Sequence, residues 1–153
     1  MKKILWAASS GGHLMEILKL KDVEKKYNSI LFTEQTDSEK KYSFFKRIYK
    51  VPQINRREYV FFIKFIKLFL SSYSIYKKEK PDIIVSTGAL VTVPISIIAK
   101  VHKKKVVYIE SFARISSPSL TGKLMYHIAD VFIIQWNGLK KFYPKAKFLG
   151  SIF

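Results

Sequence analysis

Apolar positions fall into short continuous runs, separated by longer stretches in which they recur at near-helical spacing. Lys3–Ala8 reads KILWAA and ends against Ser9, Ser10, Gly11 and Gly12, after which Leu14, Ile17, Leu18 and Leu20 return every three or four residues. That pattern predicts a strand, a turn and a helix over 12–26. Runs at 29–34 (SILFTE), 47–54 (RIYKVPQI), 82–88 (DIIVSTG), 105–111 (KVVYIES) and 131–136 (VFIIQW) predict further strands. Pro52 assigns the third of the strands to a sheet edge, because proline brings no N–H to a central ladder. Helices are predicted over 57–78, 89–104 and 119–130. Strands that are apolar on both faces and alternate with helices define an α/β chain, a Rossmann-like parallel sheet with helices on both faces. No repeat or linker interrupts it, so one domain is expected over 1–153.

Composition narrows the chemistry. A chain of 153 residues that is 48% hydrophobic can bury one substantial core. The absence of cysteine excludes a disulfide framework and thiolate metal sites, and suits a reducing compartment. The first apolar run is too short for the core of a signal peptide. Lys and Arg total 28 against 11 Asp and Glu, a formal charge of +17, so an anionic partner is expected: a nucleic acid, an anionic membrane surface or a phosphorylated substrate.

Open parallel sheets bind ligands beyond the carboxyl ends of their strands, so the loops that follow strands are the places to search. Ser9, Ser10, Gly11 and Gly12 are suited to a tight turn whose backbone approaches a phosphate at a helix N-terminus, or equally to a capped turn with no ligand. His13, at that helix start, can contact a phosphate or take a proton from a hydroxyl, or be purely structural. Glu16 reads as a first-turn acid that complements the helix dipole. Ser86, Thr87 and Gly88 repeat the hydroxyl-and-glycine pattern after the fourth strand. Glu110 closes an otherwise apolar strand, where a carboxylate must meet water, a partner or a ligand. Arg114 is positioned to pair with Glu110 or with a phosphate.

The order SSGGH, STGALVTVP, VVYIESFAR and the C-terminal AD-FI-QW and YP-A patterns resembles the acceptor half of bipartite UDP-sugar glycosyltransferases. These include the PssD, CpsF and EpsE type of bacterial exopolysaccharide proteins and the membrane-anchor subunit of the eukaryotic dolichol-diphosphate GlcNAc-transferase. More distantly the chain is similar to the N-terminal domain of MurG, whose GGTGGH loop corresponds here to Ala8, Ser9, Ser10, Gly11, Gly12 and His13. The resemblance implies the N-terminal half of a GT-B glycosyltransferase that is inactive or nearly so alone. A separate donor-binding glycosyltransferase subunit would supply the UDP-sugar. A lipid-linked sugar acceptor, a polyprenyl diphosphate, would lie against Ser9, Ser10, Gly11, Gly12, Ser86, Thr87, Gly88 and Arg114. His13 and Glu110 are then the candidate bases for the attacking hydroxyl. No metal site and no cofactor is implied.

The helix predicted over 57–78 is unusual. Ten of its twelve residues from 59 to 70 are apolar, broken only by Lys64 and Lys67 and flanked by Arg56, Arg57, Lys77 and Lys78. An apolar span this short does not cross a bilayer, which takes about 20 helical residues. It suits an interfacial helix on an anionic leaflet, with Phe61, Phe62, Lys64, Phe65, Lys67 and Phe69 as the membrane residues, a core helix with lysines at its rim, or both in part, one side packed and one side inserted. Peripheral attachment to the cytoplasmic face of the cell membrane is the corresponding expectation. A basic nucleic-acid-binding module and a self-sufficient nucleotide-sugar enzyme remain as alternatives. The chain lacks an RNP-type strand, a helix-turn-helix signature and zinc spacing, so no nucleic acid is expected as partner.

Overall fold

The computed structural model describes residues 1–35, 42, 45–55 and 57–153; Arg56, one of the flanking cations above, lies outside them. The elements run β1 (Lys3–Ala8), α1 (Gly12–Lys19), α2 (Lys21–Glu24), β2 (Asn28–Glu34), β3 (Arg47–Val51), α3 (Phe61–Glu79), β4 (Ile83–Gly88), α4 (Thr92–Val101), β5 (Lys105–Ile109), α5 (Leu120–Ile128), β6 (Val131–Ile134), a 3₁₀ turn (Asn137–Lys141) and β7 (Lys147–Phe148). The strands form one seven-stranded sheet in the order β3-β2-β1-β4-β5-β6-β7. Every adjacent pair is parallel. The order reverses between β1 and β4, which is where doubly wound sheets open a ligand crevice.

Alternation along β1 divides the core. Leu5 and Ala7 face one side of the sheet with Ile84, Val106 and Tyr108, under α3, α4 and α5. Ile4, Trp6 and Ala8 face the other with Leu31, Val85 and Ile109, under Leu14 and Ile17 of α1. The Trp6 indole donates to Ser29 Oγ at 3.1 Å, so the largest buried side chain leaves no orphan N–H.

Several boundaries differ from the pattern, each for a local reason. The helix expected over 12–26 divides because Leu20 N–H bonds Ile17 O at 2.8 Å, tightening the last turn of α1 before α2 begins. β3 is an edge strand but stops at Val51, since Pro52 has no N–H to extend the ladder. α3 ends where Lys80 turns left-handed at φ 46°, ahead of Pro81. Pro94 fits inside α4 because it lies in the first turn, where no N–H has an intrahelical acceptor. β7 is only two residues long, too short for alternation to register.

Candidate functional site

The register of β1 against β4 slips at the crevice: Ala7 faces Ser86 but Ala8 faces Gly88, leaving Thr87 as an extra residue. Bulges of this kind re-aim backbone groups. Here the Thr87 carbonyl accepts from His13 Nδ1 at 2.8 Å, and Thr87 Oγ1 donates to the His13 carbonyl at 2.7 Å. A carbonyl only accepts, so Nδ1 carries the proton and Nε2 is the basic nitrogen of the neutral ring. Burial lowers the His13 pKa below its ordinary value, although the Thr87 bond and the Glu110 charge oppose that shift. Gly88, at φ 122°, has the ring against it: a Cβ there would lie 2.9 Å from His13 Cε1. Only glycine lets imidazole and bulge pack this closely.

His13 borders a cavity of about 360 Å³ lined also by Ala89, Ser111, Arg114, Ser119 and Thr121. Ala89 is held at φ 70°, a left-handed strain found on the wall of the cavity. Gly11 and Gly12 are exposed, Gly11 at φ 85°, and a Cβ on either would meet nothing within 4 Å. α1 has no side-chain cap, so its first N–H groups and positive dipole end face outward beside His13. Ser9 is buried and Ser10 half-buried; the Ser10 N–H is taken by Glu34, a buried carboxylate whose pKa burial raises. Ser86 and Thr87, expected among the ligand-facing hydroxyls, are fully buried: Ser86 Oγ accepts from Gly88 N–H and Thr87 Oγ1 is spent on His13. Arg114 is exposed, and among the described residues no ion pair joins it to Glu110. Also among the described residues, no three His, Asp or Glu side chains are grouped to hold a metal ion.

Glu110 lies under this cavity rather than in it. It is 0% exposed and accepts from Ser111 N–H (3.1 Å), Ser119 N–H (3.3 Å), Ser119 Oγ (2.9 Å) and the Tyr143 hydroxyl (2.8 Å). Desolvation and the carboxylate itself push the Tyr143 phenol far up, so it stays a donor. Ser119 also caps α5, taking the Gly122 N–H at 2.7 Å. The carboxylate that ends β5 thus anchors the loop carrying Arg114 to α5.

Glu16 is not a surface acid complementing a dipole. It is 3% exposed and accepts from Ser111 Oγ (2.9 Å), Phe112 N–H (3.1 Å) and Gln135 Nε2 (3.0 Å), tying α1 to the ends of β5 and β6. Burial raises its pKa against the pull of those donors. Glu16→Ala leaves the three donors without their acceptor and is expected to cost about 3 kcal/mol, at roughly 1–3 for each buried group stranded. Urea unfolding checks this, with Glu16→Gln, which keeps one acceptor oxygen, expected to lose less. Glu16, Glu34 and Ser119 escaped the sequence reading as site residues. Glu34 carried the signal that marked Glu110, a carboxylate closing an apolar strand, and Ser119 had a helix-cap position.

The apolar helix has one packed and one exposed side, but the aromatic residues expected at the membrane do not all share the exposed one. Phe65 and Phe69 pack on the core, and Phe61 is half-buried with its ring 5.8 Å from that of Phe65. Phe62, Ile63, Ile66 and Leu70 are instead 77%, 58%, 60% and 63% exposed, one stripe at spacings of three and four residues. Lys64 pairs with Glu58, while Lys67 projects beside the stripe. Among the described residues no helix is long and apolar enough to cross a membrane.

This sheet order and its crevice at β1 and β4 define a Rossmann-like fold, and its likeness to the solved structures below makes it a half of the GT-B type. MurG of Acinetobacter baumannii superposes with a TM-score of 0.78 at 18% identity, over 99% of this chain and 46% of that one. The UDP-GlcNAc 2-epimerase of Methanocaldococcus jannaschii gives 0.65 at 17% identity, over 91% of this chain and 41% of that one. The chain spans less than half of either enzyme. It belongs to the family described as "Oligosaccharide biosynthesis protein Alg14 like", whose model matches residues 4–152. The UDP-N-acetylglucosamine transferase subunit ALG14 of Mus musculus is 31% identical over 180 residues, covering 98% of this chain and 82% of the mouse protein.

Proposed function

We propose that this chain is the acceptor-binding subunit of a two-component UDP-sugar glycosyltransferase, acting at the cytoplasmic face of the cell membrane in exopolysaccharide or capsule synthesis. The observation that carries the reading is His13, held by Thr87 through Nδ1 so that Nε2 is its basic nitrogen, between an uncapped glycine turn and Arg114 at the crevice. A polyprenyl-diphosphate sugar would place its diphosphate against the N–H groups of α1 and the Arg114 guanidinium. The hydroxyl of its terminal sugar then attacks the anomeric carbon of the UDP-sugar. The new C–O bond forms as the bond to UDP breaks, UDP leaves with the electron pair, and His13 Nε2 takes the hydroxyl proton. Glu110 is a positioning residue, since its oxygens are occupied by Ser111, Ser119 and Tyr143. The donor comes from a partner subunit, in keeping with the subunit naming of the mouse relative. Reconstitution with that partner tests the assignment: transfer to a polyprenyl-diphosphate sugar is expected from the pair and not from either chain alone. Transfer by this chain alone would overturn it.

Peripheral attachment would run through the exposed stripe of α3. Full burial of one such side chain is worth about 1.5–3 kcal/mol. Phe62→Ser with Ile66→Ser is therefore expected to reduce flotation on vesicles containing anionic lipid by tenfold or more. Phe65→Ser should instead lower the melting temperature, because Phe65 belongs to the core. Unchanged flotation of the double variant would remove the stripe from the membrane contact.

A further inference from the structure

We propose that a groove between α3 and the chain leaving β3 binds one anionic phospholipid, at a site separate from the cavity at His13. The proposal rests on the peripheral-membrane reading above. Pro52, Ile54, Leu68 and Leu70 line a cavity of about 510 Å³, with Lys64, Lys67 and Ser71 around it. A second cavity of about 520 Å³ adjoins it, lined by Gln53, Ile54, Asn55, Arg57 and Glu58. Ile54 belongs to both, so an apolar compartment and a polar one share a wall. Each lies within the range of about 300–1,000 Å³ that small-molecule sites occupy.

Charge selects the sign of the ligand. Lys64 is paired with Glu58. Among the described residues neither Lys67 nor Arg57 has a carboxylate within 4 Å, so the pair of cavities keeps a net excess of two cations. A molecule with an apolar chain and an anionic head matches both halves. Leu70 lines the groove and is also part of the exposed stripe, so a chain lying in the groove is continuous with the apolar layer the stripe would enter. The polyprenyl acceptor fits less well, because its diphosphate must reach His13 and Arg114, and the two sites share no lining residue. A bilayer phospholipid places its phosphate by Arg57 and Lys67 and one acyl chain between Ile54 and Leu68. Bound there, it would fix the tilt of α3 on an anionic leaflet.

Calorimetry with dihexanoylphosphatidylglycerol, held below its critical micelle concentration, tests this on the full chain. Binding of one molecule per chain is expected, at least tenfold tighter than that of dihexanoylphosphatidylcholine, which has the same chains and a zwitterionic head. Arg57→Glu and Lys67→Glu should each weaken it about tenfold. Ser71→Trp, which fills the groove from an exposed position, should abolish it while vesicle flotation persists. Phe62→Ser with Ile66→Ser should show the reverse. Equal affinity for the two lipids, or unaltered binding by Ser71→Trp, overturns the proposal. So does binding of farnesyl diphosphate at least tenfold tighter than that of the phosphatidylglycerol, which would assign the groove to the isoprenoid tail. Absent monomer binding with intact flotation sinks the groove alone; loss of both sinks the membrane reading with it.

Discussion

His13→Asn is expected to lower turnover of the reconstituted pair by about 10²–10⁴-fold, the span general-base groups contribute, with little change in acceptor KM. Asparagine is the informative replacement because its amide can still donate to the Thr87 carbonyl, preserving the tie between the β1 and β4 loops while removing the basic nitrogen. The pH profile supplies a second readout. Burial holds the imidazole below its ordinary pKa of about 6.5, so it is already neutral at pH 7. kcat/KM should therefore rise with pH along an acid limb centred below about 6.5, flatten by neutrality, and lose that limb in the variant. Stability shares the sign. As pH falls below about 6.5 the unfolded chain takes up a proton that the folded His13 resists, so the native state loses stability until the folded pKa is passed. Turnover within threefold of wild type for His13→Asn would return the residue to a purely structural role.

Periodicity was enough for six of the seven strands and for the helices between them, because strands buried on both faces leave unbroken apolar runs such as ILWAA and IIV. It also drew attention to His13, Gly88 and Glu110, which follow such runs, although an ordinary turn or a strand-end cap explained each of them equally well at that level. What it missed depends on contacts between residues far apart in the chain. Glu16 looks like any helix acid until Ser111, 95 positions away, and Gln135, 119 away, converge on it. The bulge at Thr87 is a matter of register between two strands, and register has no signature in either strand alone. Burial of the Ser86 hydroxyl likewise depends on β4 lying between β1 and β5 in the sheet order. On α3 the aromatic residues drew attention, but helical phase decides exposure: Phe65 and Phe69 turn inward, whereas Ile66 and Leu70, one residue further on, turn outward.

Gly122→Ala should destabilise the fold by about 3 kcal/mol or more, against what helix propensity predicts. Alanine is favoured over glycine inside a helix by about 0.8–1 kcal/mol, and on that ground alone the substitution in α5 would help. The structure reverses the sign, because a Cβ at 122 would lie 1.9 Å from Glu110 Oε2, 2.7 Å from Glu110 Cδ and 2.7 Å from the Tyr143 hydroxyl. Neither neighbour is the free end of a flexible chain. Glu110 is fully buried and bonded to Ser111, Ser119 and Tyr143, and moving its carboxylate strands donors at about 1–3 kcal/mol each. The clash therefore exceeds the propensity gain by a clear margin. Urea unfolding of Gly122→Ala gives the sign directly, and a cycle with Glu110→Ala gives the cause. Once the carboxylate is removed, alanine at 122 should cost far less than it does in the wild-type background. A stabilised Gly122→Ala, or strict additivity in the cycle, would mean that α5 does not pack on the Glu110 carboxylate, and the loop bearing Arg114 would lose the anchor assigned to it.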